Sequence, residues 1–195
     1  MNSITFGFIL LIVTFAAHAA KLPSFITKCD KNSPSFGKCA VDLAHAIIPT
    51  LQNGYKELNF PPFAPFHVQE IEIEATDSLN IKLTDLDIFG LEKAKFNLID
   101  CNFDTLECLI KINFPELIVK GTYDIDGRVM ILPIKGHGPT SIKLVGANFV
   151  LSMKWSLIKK GGVDNSPIID KFELHYQTER SFYHFDNLFN GDKVL

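Results

Sequence analysis

Among the side chains able to do chemistry in this sequence, the cysteines carry the clearest spacing. Cys29 and Cys39 flank the polar stretch Asp30-Lys31-Asn32-Ser33-Pro34, and Cys101 and Cys108 flank Asn102 to Glu107. No Cys-x-x-Cys occurs and no His stands near at ligand spacing, so the thiols read as structural rather than as a zinc site. The four cysteines allow three pairings, and spacing alone leaves that choice open. Joining Cys29 to Cys39 would restrict the unfolded chain by roughly 2.5 to 3 kcal/mol in the entropic model. Joining Cys101 to Cys108 would staple a connection between two strands, which disulfide geometry permits. The histidines outside the N-terminal run, His45, His67, His137, His175 and His184, are dispersed and read as surface or pocket-rim residues. Ser141 near His137 is the one nucleophile and base pair worth naming, and it has neither a third partner nor a Gly-x-Ser-x-Gly elbow. Asp124-Ile125-Asp126-Gly127 opens like a calcium loop but lacks the third oxygen ligand and the closing Glu. Asp85 and Asp87 share a strand face and read as a solvated edge rather than an acid-base pair. Phosphate-loop, dinucleotide and His-Glu-x-x-His motifs are missing. These residues predict no enzyme, no cofactor and no metal.

The elements that must position any site begin after an export signal. Ile4 to Ala17 is an almost unbroken apolar run, too short for a comfortable membrane span, and Ala17-His18-Ala19 offers a cleavage site. The spacing predicts a signal peptide over 1–19, a mature domain over 20–195 and a secreted, extracellular product. At 47% hydrophobic and 21% charged, the chain can bury one sizeable core. A formal net charge of -3 gives no basic footprint, which removes nucleic acid as a partner. No segment after the leader is apolar enough to insert stably in a bilayer.

One helix and then strands follow. Ser35 is placed to cap a helix from Phe36, with Cys39, Leu43, Ala46, Ile47, Thr50 and Leu51 on one face. Pro49 should kink its last turn or end it early, and Gly54 stops it. Phe60-Pro61-Pro62-Phe63-Ala64-Pro65-Phe66 is an extended apolar connector. Beyond it the period becomes two: Ile71, Ile73 and Ala75 alternate with glutamates, and Leu79, Ile81 and Leu83 continue the pattern. That pattern slips by one residue to Leu86 and Ile88, which predicts a bulge at Thr84-Asp85. Asp126-Gly127 predicts a tight hairpin, and Gly136-His137-Gly138-Pro139 a second reversal, so three strands are expected from Phe114 onward. Val145, Ala147, Phe149, Leu151, Met153, Trp155 and Leu157 alternate along one strand of roughly 40 Å, Gly161-Gly162 turns it, and Phe172, Leu174 and Tyr176 return.

The stretch Phe114 to Pro139, with Asn187-Leu188-Phe189-Asn190-Gly191-Asp192, resembles the takeout and juvenile hormone-binding protein family of insects. Ala64 stands where that family commonly has Asp. The resemblance implies an α+β fold of the tubular lipid-binding type, a long, strongly curved antiparallel sheet wrapped around a C-terminal helix, with the ligand inside. The sequence stops at Leu195, where the family's last helix would begin, so the expected form keeps the N-terminal helix and lacks that one. It also implies a Cys29 to Cys39 pair and a haemolymph-type carrier of a terpenoid or fatty acid, linked in the family to feeding or circadian output. The apolar alternation then nominates Ile71, Ile73, Ile81, Leu83, Val119, Tyr123, Phe149, Leu151, Met153, Trp155, Phe172, Leu174 and Tyr176 as ligand-binding. Tyr123, Tyr176 and Thr140 are polar groups that could add specificity. The alternative function is lipid interaction at a membrane or microbial surface. Oligomeric state is not legible in the sequence.

Overall fold

The structure is a computed structural model that describes residues 23–76, 79–129, 131–160 and 163–189. The expected signal peptide and the Gly161-Gly162 turn lie outside the described residues. A single α-helix is present among the described residues, α1 (Phe36–Leu51), followed by strands β1 (Phe66–Thr76), β2 (Leu79–Phe89), β3 (Lys95–Asn102), β4 (Glu107–Val129), β5 (Leu132–Lys160), β6 (Val163–Gln177) and β7 (Arg180–Phe185). All strand pairings are antiparallel.

The expected turn at Asp126-Gly127 does not exist. Both residues lie inside β4, where Asp126 faces Lys135 and Gly127 faces Ile134, and the hairpin closes later, between the paired Val129 and Leu132. Local turn propensity loses here because β4 is held from both sides: Gly127 also pairs with Leu79 of β2. Nor does Gly136-His137-Gly138-Pro139 reverse the chain; it runs through β5 opposite Ile125 to Thr122. Two strands therefore stand where three were expected. At 29 residues, β5 would measure roughly 95 Å if straight, so it must coil strongly.

Two half-sheets share the β4-β5 hairpin. β3 joins β4 as far as Asn113, and β6 joins β5 as far as Asn148. On the other side of a joint, β2 joins β4 from Ile118 and β7 joins β5 from Val145. The joint is Pro115 opposite Gly146, the one position missing from an otherwise continuous register. Pro115 has no N–H to give, and Gly146 sits at φ +60°, where an added Cβ would strike the Glu179 side chain. The inward phase changes there. Phe114 and Ala147 on one side, and Leu117 and Leu144 on the other, pack into one cluster although strict alternation would put them on opposite faces.

The second cluster sits in the other half and contains Leu83, Leu86, Tyr123 and Ile125. The predicted bulge is what brings Leu83 and Leu86 to one side: the β2 register shifts between Thr84 and Asp87, and Asp85 adopts φ 50°. Gly121 accepts the bulge, since a Cβ there would lie 2.7 Å from the Thr84 carbonyl oxygen.

The helix begins at the expected residue by a different device. Ser35 makes no side-chain cap; its Oγ pairs with Ser33 Oγ at 2.8 Å. Pro49 stays inside the helix, which continues to Leu51, and Gly54 follows at φ +83° with its N–H donating to the Leu51 carbonyl. Disulfides join Cys29 to Cys39 and Cys101 to Cys108. The second bridges register partners of the β3-β4 hairpin, whose loop is ordered by Asn102 Oδ1 accepting from the Asp104 and Thr105 N–H groups.

Candidate functional site

Helix α1 lies along β3, fixed by two unlike contacts. His45 Nε2 accepts the Phe96 backbone N–H at 2.8 Å, and Gly37 passes so close to the Ile99 carbonyl that a Cβ would sit 2.6 Å from its oxygen. Between helix and sheet an open groove of about 310 Å³ remains. Its wall is the α1 face Ala44, Ile47, Ile48 and Leu51, its lip is Phe60 and Phe63 of the proline-rich connector, and its floor is Leu91, Ala94, Phe96 and Phe114. The two lip rings meet edge to face at 5.8 Å.

The floor continues into the sheet. Phe114 meets Phe149 edge to face with centroids 5.4 Å apart, and Phe149 stacks on Tyr176 at 5.6 Å. Along β4, β5 and β6, three cross-strand rows then follow in register: Ile112, Phe149 and Tyr176; Ile110, Leu151 and Leu174; Cys108, Met153 and Phe172. One apolar face thus extends from the groove toward the Cys101–Cys108 bridge. Its β6 side is open, with Phe172, Leu174 and Tyr176 exposed by 53%, 47% and 57%. Trp155 continues the row on β5 opposite Ile169, after a register shift.

The nominated residues therefore divide. Phe149, Leu151, Met153, Trp155, Phe172, Leu174 and Tyr176 lie along this face, whereas Ile71, Ile73, Ile81, Leu83, Val119 and Tyr123 lie in the other half of the sheet. There Leu83 and Tyr123 belong to the buried cluster, with Ile81 and Val119 packed against it. Ile71 and Ile73 sit opposite Leu83 and Ile81 on the outer strand β1 and are exposed. Of the polar groups nominated for specificity, Tyr123 and Thr140 are engaged internally, whereas Tyr176 is exposed on β6. Tyr123 O–H donates to the Asp186 carbonyl at 2.8 Å, and Thr140 Oγ1 to the His184 carbonyl at 2.9 Å. Burial, with the negative charges of Asp186 and Asp124 adding to it, pushes the Tyr123 phenol pKa above its ordinary value.

Sequence reasoning missed the groove itself. Of the α1 face expected, Ile47 and Leu51 line the groove, whereas Ala46 and Thr50 are exposed and Ala44 and Ile48 stand in the wall; nothing local announced that this face and the connector enclose one space with Leu91, Ala94 and Phe114.

The opposite face of β3 to β6 is polar. Lys154 pairs with Glu107 at 3.0 Å and Lys171 with Glu173 at 2.8 Å, and each lysine holds its carboxylate partner below the ordinary range. These side chains are exposed, so the pairs add little stability. No group of His, Cys, Asp and Glu suited to a metal occurs among the described residues, and no helix among them is long and apolar enough to cross a membrane.

Comparison with known proteins agrees with the architecture. The crystal structure of Takeout 1 from Epiphyas postvittana superposes with a TM-score of 0.68 at 23% identity, covering 80% of this chain and 72% of that one, which shows a common fold. The circadian clock-controlled protein daywake of Drosophila melanogaster is 26% identical over 185 residues, 89% of this chain and 69% of the relative. Its Drosophila yakuba counterpart is 23% identical over 183 residues, again 89% of this chain and 69% of the relative. The profile described as Haemolymph juvenile hormone binding protein (JHBP) matches residues 8–195, nearly the whole sequence. The chain belongs to the haemolymph juvenile hormone binding protein family.

Proposed function

We propose that this protein is a secreted, non-enzymatic carrier of a hydrophobic small molecule, a terpenoid or a fatty acyl lipid. The observation that carries the reading is the continuous apolar surface from the α1 groove through Phe114 and Phe149 to Tyr176, in a chain whose family is described by hormone binding. We assign Phe149, Leu151, Met153, Trp155, Phe172, Leu174 and Tyr176 to the continuation of that site. Ile71, Ile73, Ile81, Leu83, Val119 and Tyr123 are assigned to packing of the other half-sheet. Burying about 300 Å² of ligand apolar surface would contribute roughly 7 kcal/mol before the costs of association, which sets micromolar binding as the upper bound for a contact of that size.

The two disulfides fit the oxidising compartment that secretion requires. Clock-controlled expression, as the name of the daywake relatives describes for them, is the physiological setting we favour.

Native mass spectrometry of protein secreted from insect cells tests the reading. A retained adduct of lipid mass on the protein is expected. Bare protein that also fails to bind a fluorescent fatty acid refutes it, and binding to phospholipid vesicles without ligand uptake would favour surface lipid interaction instead.

A further inference from the structure

We infer that the α1 groove recognises hydrocarbon alone and leaves the polar end of its ligand in solvent; this rests on the carrier reading and specifies the class of molecule carried. The lining consists only of Ala, Ile, Leu and Phe side chains. What matters next is whether a hidden donor or acceptor faces it, and the neighbouring polar groups are already engaged. The His45 ring nitrogen takes the Phe96 N–H. Along the floor, the Lys93 and Ala94 N–H groups donate to the Gly90 and Leu91 carbonyls at 3.1 and 3.2 Å. At the lip, the Phe63 N–H donates to the Gln52 carbonyl at 3.0 Å, and at the helix end the Gly54 N–H donates to the Leu51 carbonyl at 2.8 Å.

A carboxyl, ester or hydroxyl drawn into such a groove would lose water and gain no partner, a desolvation that opposes entry. The polar end must stay at the open mouth while the chain enters. Sites that hydrogen-bond a substrate group reject analogues lacking it by about four orders of magnitude, whereas apolar pockets discriminate only by methylene count and shape. Selection here is accordingly by chain length and blind to the head group.

Displacement of a bound fluorescent fatty acid by hexadecanol, methyl hexadecanoate and hexadecanoic acid tests this. The three dissociation constants should agree within about threefold, while removing methylenes should weaken binding by about fourfold for each one lost from the groove. A tenfold or greater preference for any one head group overturns the inference. Ala94→Phe, which fills the floor, should weaken all three by about tenfold or more. Ile48→Phe from the opposite wall should do the same and serves if the first variant does not fold. Lys154→Gln, on the polar opposite face of the sheet, should leave these affinities unchanged. If the groove variants are silent and Phe172→Ser, on the open β6 side, abolishes binding, the groove assignment fails while the carrier reading stands. If wild-type protein binds none of the three, both fall.

Discussion

Replacing Gly138 with alanine should cost about 3 kcal/mol, because the segment after β7 lies directly on the glycines of β5. A Cβ at Gly138 would sit 2.6 Å from the Asp186 carbonyl oxygen, roughly half an ångström inside the closest contact that carbon and oxygen tolerate. The neighbour is backbone, so the segment itself must lift. Two bonds at Asp186 are then lost: Tyr123 O–H to its carbonyl at 2.8 Å and its N–H to the Pro139 carbonyl at 3.0 Å. At about 1 kcal/mol each these sum to about 2 kcal/mol. Partial exposure of Phe185 and Leu188, which pack against the Tyr123 cluster, adds about 1 kcal/mol. With a urea m-value of about 2 kcal/mol/M, the midpoint should fall by about 1.5 M. Far-UV circular dichroism follows the sheet, and Trp155, the single tryptophan, reports the other half. Gly127→Ala is the control, since Gly127 pairs within the strands, and it should shift stability by less than about 1 kcal/mol. A Gly138→Ala midpoint indistinguishable from wild type would refute the close-approach argument.

Other perturbations test other parts. Because the folded-state Tyr123 pKa is raised, its stabilising effect is complete below the unfolded value of about 10 and is lost as pH rises through the folded value. Tyr123→Phe should remove this part of the alkaline loss, measured as the difference in urea midpoints between neutral and strongly alkaline buffer. Cys29→Ala with Cys39→Ala should cost roughly 2.5 to 3 kcal/mol by calorimetry or urea unfolding, if the entropic model holds for this loop. At the bulge, Asp85 has φ 50°, so Asp85→Gly should be tolerated. Asp85→Val should cost about 1 to 2 kcal/mol by the same unfolding assay, since a branched residue resists the left-handed region.

Where local chemistry determined the structure, the sequence could be read. The slip from Leu83 to Leu86 disclosed the bulge, because an extra residue is the only way to keep both on one core. The second disulfide was one of the pairings the sequence left open, made reasonable because Cys101 and Cys108 frame a strand connection. Turns fared worse, for a reason seen in Gly136 and Gly138. Glycine marks either a reversal or a surface that another chain must approach, and the sequence does not say which. The approaching segment is Asp186 to Leu188, about fifty residues away. The true hairpin end carries no Asn-Gly or Asp-Gly signal, so β4 and β5 were cut too short. The groove was invisible for a related reason. Its wall, lip and floor come from separate segments, and only the docking of α1 on β3 makes them one site.

The clasp formed by Tyr123, Gly136 to Pro139 and Asp186 to Leu188 also has a kinetic consequence. The β4-β5 hairpin can zip from its own turn, and β6 and β7 can each be laid on β5 as the chain arrives, so most pairings close short loops. The clasp is the last piece of that zip: it extends the β5-β7 pairing past Thr140 and Phe185 and only then ties back to residue 123. Contacts absent from the folding transition state act on the unfolding rate. By this reasoning the clasp contributes little to how fast the protein forms and a good deal to how long it lasts once formed, a quantity that would matter for the extracellular carrier proposed above.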